Sequence, residues 1–430
     1  MLSAFAQAFR TPELRKKILF SLLIMALYRL GVFIPTPGVS AAAISECSAM
    51  QDQSSLLDMF NLFSGGALKS LSIFALGIMP YITASIIIQV LRVAVPRFED
   101  LHKEGQSGQS KLTQYTRYLT IFLAVLQSTT MISMAASGQM FPGCTTDVIP
   151  NASFITYLFM VLVMTAGTAV IMWFGELITE RGVGNGMSLL IFTGIVSTMP
   201  MSLIDIGRTR GWGIVLMILA IILLVTVAVV YVEQAQRRIP VQYAKRMVGR
   251  RTYGGTTTYI PLKINMAGVI PVIFSTSILG LPPLIAQFGD PMSGWVQWIN
   301  FNFRPQGLWY MLTNALLIFA FAYFYTSITF NPDEVADNMK RYGGFIPGYR
   351  AGRPTAEYLS YVVNRLTFAG GIYLVVIAII PSLIMIPMKL ASNQMPFGGT
   401  TLLIMVGVGL QTVKEINSQL QQHHYEGFLK

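Results

Sequence analysis

The chain has 430 residues, 53% of them hydrophobic and 11% charged, with a mean hydropathy of +0.58. A soluble domain carries about 25% charged residues, so this composition excludes an ordinary globular enzyme and points to an integral membrane protein. Lys and Arg number 30 against 19 Asp and Glu, a net charge of +11, and the position of that surplus is more informative than its size.

Near the start, Arg15, Lys16 and Lys17 lead straight into the apolar Ile18–Ile34 with no small-residue cleavage site. This reads as a first span and not as a removable signal. Phe60–Leu71 comes next, a glycine-containing stretch too polar to span and too apolar for a free loop. It runs into Ser72–Val95, long enough to cross a bilayer, which needs about 20 apolar residues. Gly77 and Pro80 in the first half of that span, and Gln89 in its second, set it apart from a plain anchor. The pair suggests chain folded back into the membrane and a pore that it helps to line and close. Further spans are expected at Tyr118–Ala136, Phe154–Ile178, Met187–Ile204, Trp212–Val232, Gly268–Leu284, Leu308–Phe330, Leu366–Ile386 and Thr400–Ile416.

These ten spans pass a charge test. With the N-terminus inside, 24 of the 30 Lys and Arg fall on the inner side, five on the outer side, and Arg29 within the first span. Basic residues gather on the cytoplasmic side, which supports ten spans with both ends cytoplasmic. The ten divide into five and five, 1–205 and 206–430, without sequence identity between the halves. Two inner loops, 233–263 and 331–365, are long and rich in Arg, Tyr and Gly. Exposed Arg and Tyr are common at binding hot spots, so these loops are expected to dock a cytoplasmic partner. Cys47 and Cys144 fall in outer loops and read as two unrelated thiols.

Catalytic signatures are absent. There is no G-x-x-x-x-G-K-[ST] phosphate loop and no H-E-x-x-H. The three histidines, His102, His423 and His424, lie in cytoplasmic segments, and GVGNG at 182–186 follows a span, as a tight turn would. No cofactor or metal is expected. Arg29 and Glu176 lie near span ends, where both can snorkel. A coupled small-solute carrier usually holds ionisable groups facing its cavity, and none is expected at mid-depth. An uncoupled path with a mainly aliphatic wall is therefore preferred over the alternative, a secondary transporter or small-solute channel. Ile78 and Ile82 share a helix face, as do Met187 and Ile191, and a narrow apolar ring can close a channel by excluding water.

Five long motifs carry a resemblance that covers essentially the whole chain. They are FSGGALKSLSIFALGIMPYITASIIIQ at 63–89, GELITERGVGNGMSLLIF at 175–192, PLKINMAGVIPVIF at 261–274, FNPDEVADNMKRYGGFIPGYRAG at 330–352 and GGTTLLIMVGV at 398–408. In these the chain resembles the SecY family, the central subunits of the bacterial protein-translocation channel. The resemblance implies an all-α integral membrane fold, ten transmembrane helices in two pseudo-symmetric five-helix halves, with a plug half-helix. It implies a pore ring of Ile78, Ile82, Met187, Ile191, Ile273 and Ile404, where the family usually has isoleucine in place of Met187. It implies a plug at 61–71 with Asn61, Phe63, Gly65, Gly66 and Leu68. The second, third, seventh and eighth spans would form a lateral gate with Gln89 and Asn265 at polar positions. Arg250, Arg251 and Arg350 match positions that bind the SecA motor ATPase or the ribosome. The remaining implied partners are the small subunits SecE and SecG, signal peptides, translocating polypeptides and membrane lipids. The implied location is the bacterial cytoplasmic membrane, and the implied activity is conduction of polypeptide, not an enzymatic reaction.

Overall fold

The computed structural model describes residues 9–49, 61, 64–138, 140, 146–150, 153–243, 246–248, 251–253, 257–286, 289, 292–303, 307–388 and 399–427. Its helices are α1 Pro12–Val32, α2 Ala41–Ala49, α3 Met79–Ala94, α4 Pro96–Lys103, α5 Gln106–Ala136, α6 Phe154–Arg181, α7 Gly186–Arg210 and α8 Trp212–Gln234. After four strands follow α9 Ile270–Leu279, α10 Leu281–Ala286, α11 Gly294–Asn302, α12 Leu308–Thr329, α13 Pro332–Arg341, α14 Arg353–Met388 and α15 Gly399–Gly427. The strands are β1 Gln236–Tyr243, β2 Arg246–Val248, β3 Arg251–Tyr253, β4 Thr257–Lys263 and, after α13, β5 Gly344–Phe345.

Each expected span coincides with a helix, but the lengths differ. Six helices, α5, α6, α7, α8, α12 and α14, are long and apolar enough to cross a membrane. The pair α3 and α4, bent by 98°, qualifies as a seventh if taken as one broken span. Charge keeps α1 out of that set, since Glu13, Arg15, Lys16 and Lys17 occupy its opening turns and Arg29 its last. The expected span Ser72–Val95 is helical only from Met79. Residues 64–78 run as consecutive turns apart from an isolated bridge between Pro35 and Ser72. Leu71 at φ 43° and Gly77 at φ 56° take left-handed conformations that a helix cannot continue through, and Pro80 suits the first turn of the helix that follows. The expected span Gly268–Leu284 likewise splits into α9 and α10 at Gly280. Conversely, α5 starts twelve residues before the expected Tyr118, and α14 starts thirteen before the expected Leu366, because amphipathic turns extend both helices beyond their apolar stretches.

Helix packing follows chain order with a few crossings. Neighbours α3 and α5, α5 and α6, α6 and α7, α9 and α12, and α12 and α14 are in contact. The crossings are α1 on α6 and α7, α8 on α7 and α15, α9 on α3, and α15 on α1, α7 and α9. One large apolar cluster runs through these helices. Their outer faces stay apolar too. On α8, Leu223, Leu224, Val227 and Tyr231 are all exposed, as expected of a surface solvated by lipid.

Both long basic loops belong to one small unit. β1 pairs antiparallel with β4 from Gln236↔Lys263 to Gln242↔Thr257, and its other edge takes β5 from the second loop. Inward residues Ile239, Val241 and Leu262 pack with Met339, Ile346, Leu359, Val362 and Val363 into a second core. The sequence presents the two loops as separate basic segments, and the sheet joins them. A short hairpin, β2 with β3, carries Arg251, whose partner is Val248. Arg250 lies outside the described residues, as do Phe63 and Cys144. Cys47 is disulfide-bonded, against the reading of two unrelated thiols.

Val241 is buried at 2% exposure. Val241→Asp is expected to destabilise this unit by about 3–5 kcal/mol, the range for an uncompensated buried charge. Limited proteolysis should then cut both loops together, with the helical content unchanged by circular dichroism.

Candidate functional site: an aliphatic constriction beside a polar wall

A cavity of about 370 Å³ opens where α3, α6, α7 and α9 converge. Ile82 of α3, Met187 and Ile191 of α7 and Ile273 of α9 line it, which brings four of the six expected ring residues to one space. The other two, Ile78 and Ile404, are buried at 3% and 0% in the same apolar cluster. Ile78 sits one turn before Ile82, whose backbone N–H donates to the Ile78 carbonyl at 3.1 Å. Ile404 lies on α15, which packs on both α7 and α9.

Local chemistry fixes Met187. Asn185 is the N-cap of α7, and its Oδ1 accepts from the Met187 and Ser188 N–H groups at 3.0 and 3.3 Å. The Thr179 hydroxyl accepts from the Gly186 N–H at 2.9 Å. A Cβ at Gly175 would overlap the Met187 sulfur, so the glycine of the GELITER motif is the seat of this side chain. GVGNG at 182–186 is thus a capped turn, as its position after a span suggests.

The remainder of the wall is polar. Arg117 donates from Nε and Nη2 to Glu176 Oε1 and Oε2, both at 2.8 Å, in the two-point geometry that favours Arg over Lys. Glu176 does not snorkel, as read from the sequence, but is held across α5 and α6 at the edge of the cavity. The sequence offered a signal, since an ionisable residue within a span is a functional candidate by default.

The polar gate residues do not meet. Gln89 lines the cavity and donates to Ser85 Oγ on its own helix at 3.4 Å. Asn265, buried at 4%, donates to Glu233 Oε1 at 2.6 Å and to the Gly268 carbonyl at 3.0 Å. The helices of the expected gate are nevertheless in contact, α3 with α5 and α9, and α9 with α12.

Residues 64–71 pack into the same core through Ala67, Leu68 and Leu71. Most of their backbone hydrogen bonds are local, and α1 supplies two more. Tyr28 Oη donates to the Ser64 carbonyl at 3.3 Å, and Arg29 Nη1 donates to the Gly65 carbonyl at 2.7 Å. Arg29 is therefore turned toward this segment, with its guanidinium 5.2 Å from the Phe33 ring, where the sequence suggested snorkelling. Asn61 Oδ1 accepts from the Lys69 N–H at 3.0 Å. Gly65 has φ 67°, and a Cβ there would lie 2.9 Å from the Gly194 Cα, so a side chain is excluded by conformation and by contact. Gly66, at φ 95°, closes the turn on the Asn61 carbonyl at 2.9 Å. Farther on, a Cβ at Gly167 would collide with the Ile73 carbonyl oxygen and one at Gly31 with the Phe74 ring. These two glycines let the chain pass between α1 and α6.

Of the residues expected to dock a partner, Arg350 is exposed next to a stacked pair, Tyr349 and Tyr358, at 4.1 Å. Arg251 lies in β3. Among the described residues there is no group of three or more His, Cys, Asp or Glu able to hold a metal.

A profile of the SecY family matches residues 72–413. Protein translocase subunit SecY of Streptomyces scabiei is 56% identical over 438 residues, and that of Mycobacterium tuberculosis H37Rv is 54% identical over 441 residues; both alignments cover the whole of each chain. Among solved structures, a protein-conducting channel superposes with a TM-score of 0.64 at 17% identity, covering 94% of this chain and 91% of that one. Sec61 from the canine ribosome–channel complex gives a TM-score of 0.60 at 17% identity with the same coverage. At that identity the likeness is one of fold.

Removing the Arg29 guanidinium deletes a charge-assisted hydrogen bond worth about 1.5–3 kcal/mol. Arg29→Met is therefore expected to raise hydrogen exchange at amides 64–71 by roughly ten- to a hundredfold. Arg29→Lys should recover part of the protection, and exchange in α5 and α6 should not change.

Proposed function

Since the chain belongs to the SecY family of protein translocase subunits, we propose that its aliphatic constriction is the narrow point through which secretory polypeptides cross the membrane. It is a channel subunit and not an enzyme. The observation that carries the reading is that Ile82, Met187, Ile191 and Ile273, from three helices far apart in sequence, surround one cavity. Ile78 and Ile404 complete the ring in this reading. A translocating chain presents every kind of side chain, so the ring must bind none of them strongly. Branched aliphatic groups meet that demand and still exclude water when closed.

The segment 61–71 is then the plug, with Arg29 and Tyr28 as its latch. The contact between α3 and α9 is the closed lateral gate, through which apolar segments leave for lipid. The two halves, 1–205 and 206–430, hinge where α7 meets α8. The helix break falls at Gly211, so the boundary shifts by a few residues from that expected. The joined loops, with Arg250, Arg251 and Arg350, form the docking face for the SecA motor or the ribosome, and SecE and SecG cover part of the apolar outer surface. The location is the bacterial cytoplasmic membrane with both termini inside. Two independent features support that orientation. One is the uneven distribution of Lys and Arg. The other is the disulfide at Cys47 in an outer segment, since such bonds persist outside the reducing cytosol.

Two experiments test these assignments. Ile82→Asn and Ile404→Asn are expected to raise ion conductance of the resting channel in planar bilayers and to allow export of precursors with weakened signal sequences. Unchanged conductance and unchanged signal selectivity in both would remove the ring assignment. Arg350→Glu is expected to slow ATP-driven export in vesicles severalfold while the protein accumulates normally in the membrane, and wild-type export would remove the docking claim.

A further inference from the structure

The connection between α10 and α12 contains a short helix, α11, that the sequence does not single out. Its residues divide into three faces. Val296, buried at 3%, points inward with the partly covered Ile299 and Phe303. Gln297 and Asn300 make a polar face. Between these two, on the remaining side, Trp295, Trp298 and Phe301 are 49%, 53% and 71% exposed. A helix with two exposed faces, one aromatic and one polar, is built for a boundary between apolar and aqueous phases.

We propose that α11 lies in the outer headgroup region of the bilayer, with its tryptophans inserted into lipid and its Gln297–Asn300 face in water. Three observations select lipid as the occupant. First, α11 packs on α12, which starts at Leu308 and itself exposes Leu308, Trp309, Leu312 and Leu316. α12 is long and apolar enough to cross a membrane, and its apolar stretch begins at its first turn, only a few residues from the end of α11. Second, 294–303 contains no charged residue, which fits neither an acidic nor a basic protein surface and leaves neutral lipid. Third, tryptophan is the side chain enriched at this depth, and three of the chain's five tryptophans fall within 295–309. The anchor also bears on α9. α11 packs on α10 and α12, and Trp295 and Val296 close over Gly289. The outer end of the helix that carries Ile273 is thereby tied to the membrane surface. The inference rests on α12 crossing the membrane and on the orientation proposed above, and not on what passes through the channel.

The test is fluorescence of the full chain in lipid vesicles. Replacing Trp173, Trp212 and Trp309 by Phe leaves Trp295 and Trp298 as the emitters. With phosphatidylcholine brominated close to the glycerol end of its chains, emission is expected to fall by roughly half. Bromine near the chain ends should quench less, and added salt should change nothing. No quenching by either lipid, as for rings held in water or covered by a second protein chain, overturns the proposal. Stronger quenching from the chain ends does so too, since it places the rings deep in the bilayer. A second variant needs no tryptophan replacement. Gln297→Cys should react with a membrane-impermeant maleimide added to the outer face, and failure to react while an inner-loop control is also protected would place the polar face in lipid and overturn the arrangement.

Discussion

Backbone that is neither helix nor strand must find its hydrogen bonds elsewhere, and within a bilayer water cannot supply them. Residues 64–78 face that problem. Local turns and the Asn61, Ser64 and Ser72 side chains meet many of their carbonyls and amides, and α1 with the turn after it meets others. Tyr28 and Arg29 reach Ser64 and Gly65, the Thr36 N–H reaches the Leu71 carbonyl, and the Ile73 N–H reaches the Ile34 carbonyl. The segment can adopt its turns only where these groups wait for it. Few of the contacts are strong, and the guanidinium bond is the main exception.

The constriction depends on a different economy. Its aliphatic members come from α3, α7, α9 and α15, and each helix is positioned by something other than the ring. Asn185 caps α7, Pro80 and Pro271 open α3 and α9, and α15 is wedged among α1, α7 and α9. The Arg117–Glu176 pair lies beside it and not in it, which keeps charge available to water on one side while the narrow point remains apolar.

The sheet unit that joins the two basic loops is rigid. β1 is shared by β4 and β5, so the two basic loops move as one body. Arg350 and the stacked Tyr349 and Tyr358 are thereby presented on a packed platform, which lowers the entropy lost when a partner binds.

How much of this was legible beforehand depended on the range of the interaction. Hydropathy alone marked the long apolar helices α5, α6, α7, α8, α12 and α14, because burial in lipid acts on each stretch independently. The long motifs named the family, and four of the six residues they pointed to, Ile82, Met187, Ile191 and Ile273, line one cavity. The helix break at 72–78 was not legible from hydropathy, since residues 73–79 are as apolar as the helix that follows, and the left-handed Leu71 is met by the Thr36 N–H from a distant turn. Nor were the roles of Arg29 and Glu176, whose partners Gly65 and Arg117 lie 36 and 59 residues away. Gln89 and Asn265 matched gate positions, yet each bonds elsewhere, to Ser85 and Glu233. Composition determines which segments leave water; only the packed structure decides which polar groups face one another once they have left it, because that choice depends on the relative rotation and depth of helices that no local pattern encodes.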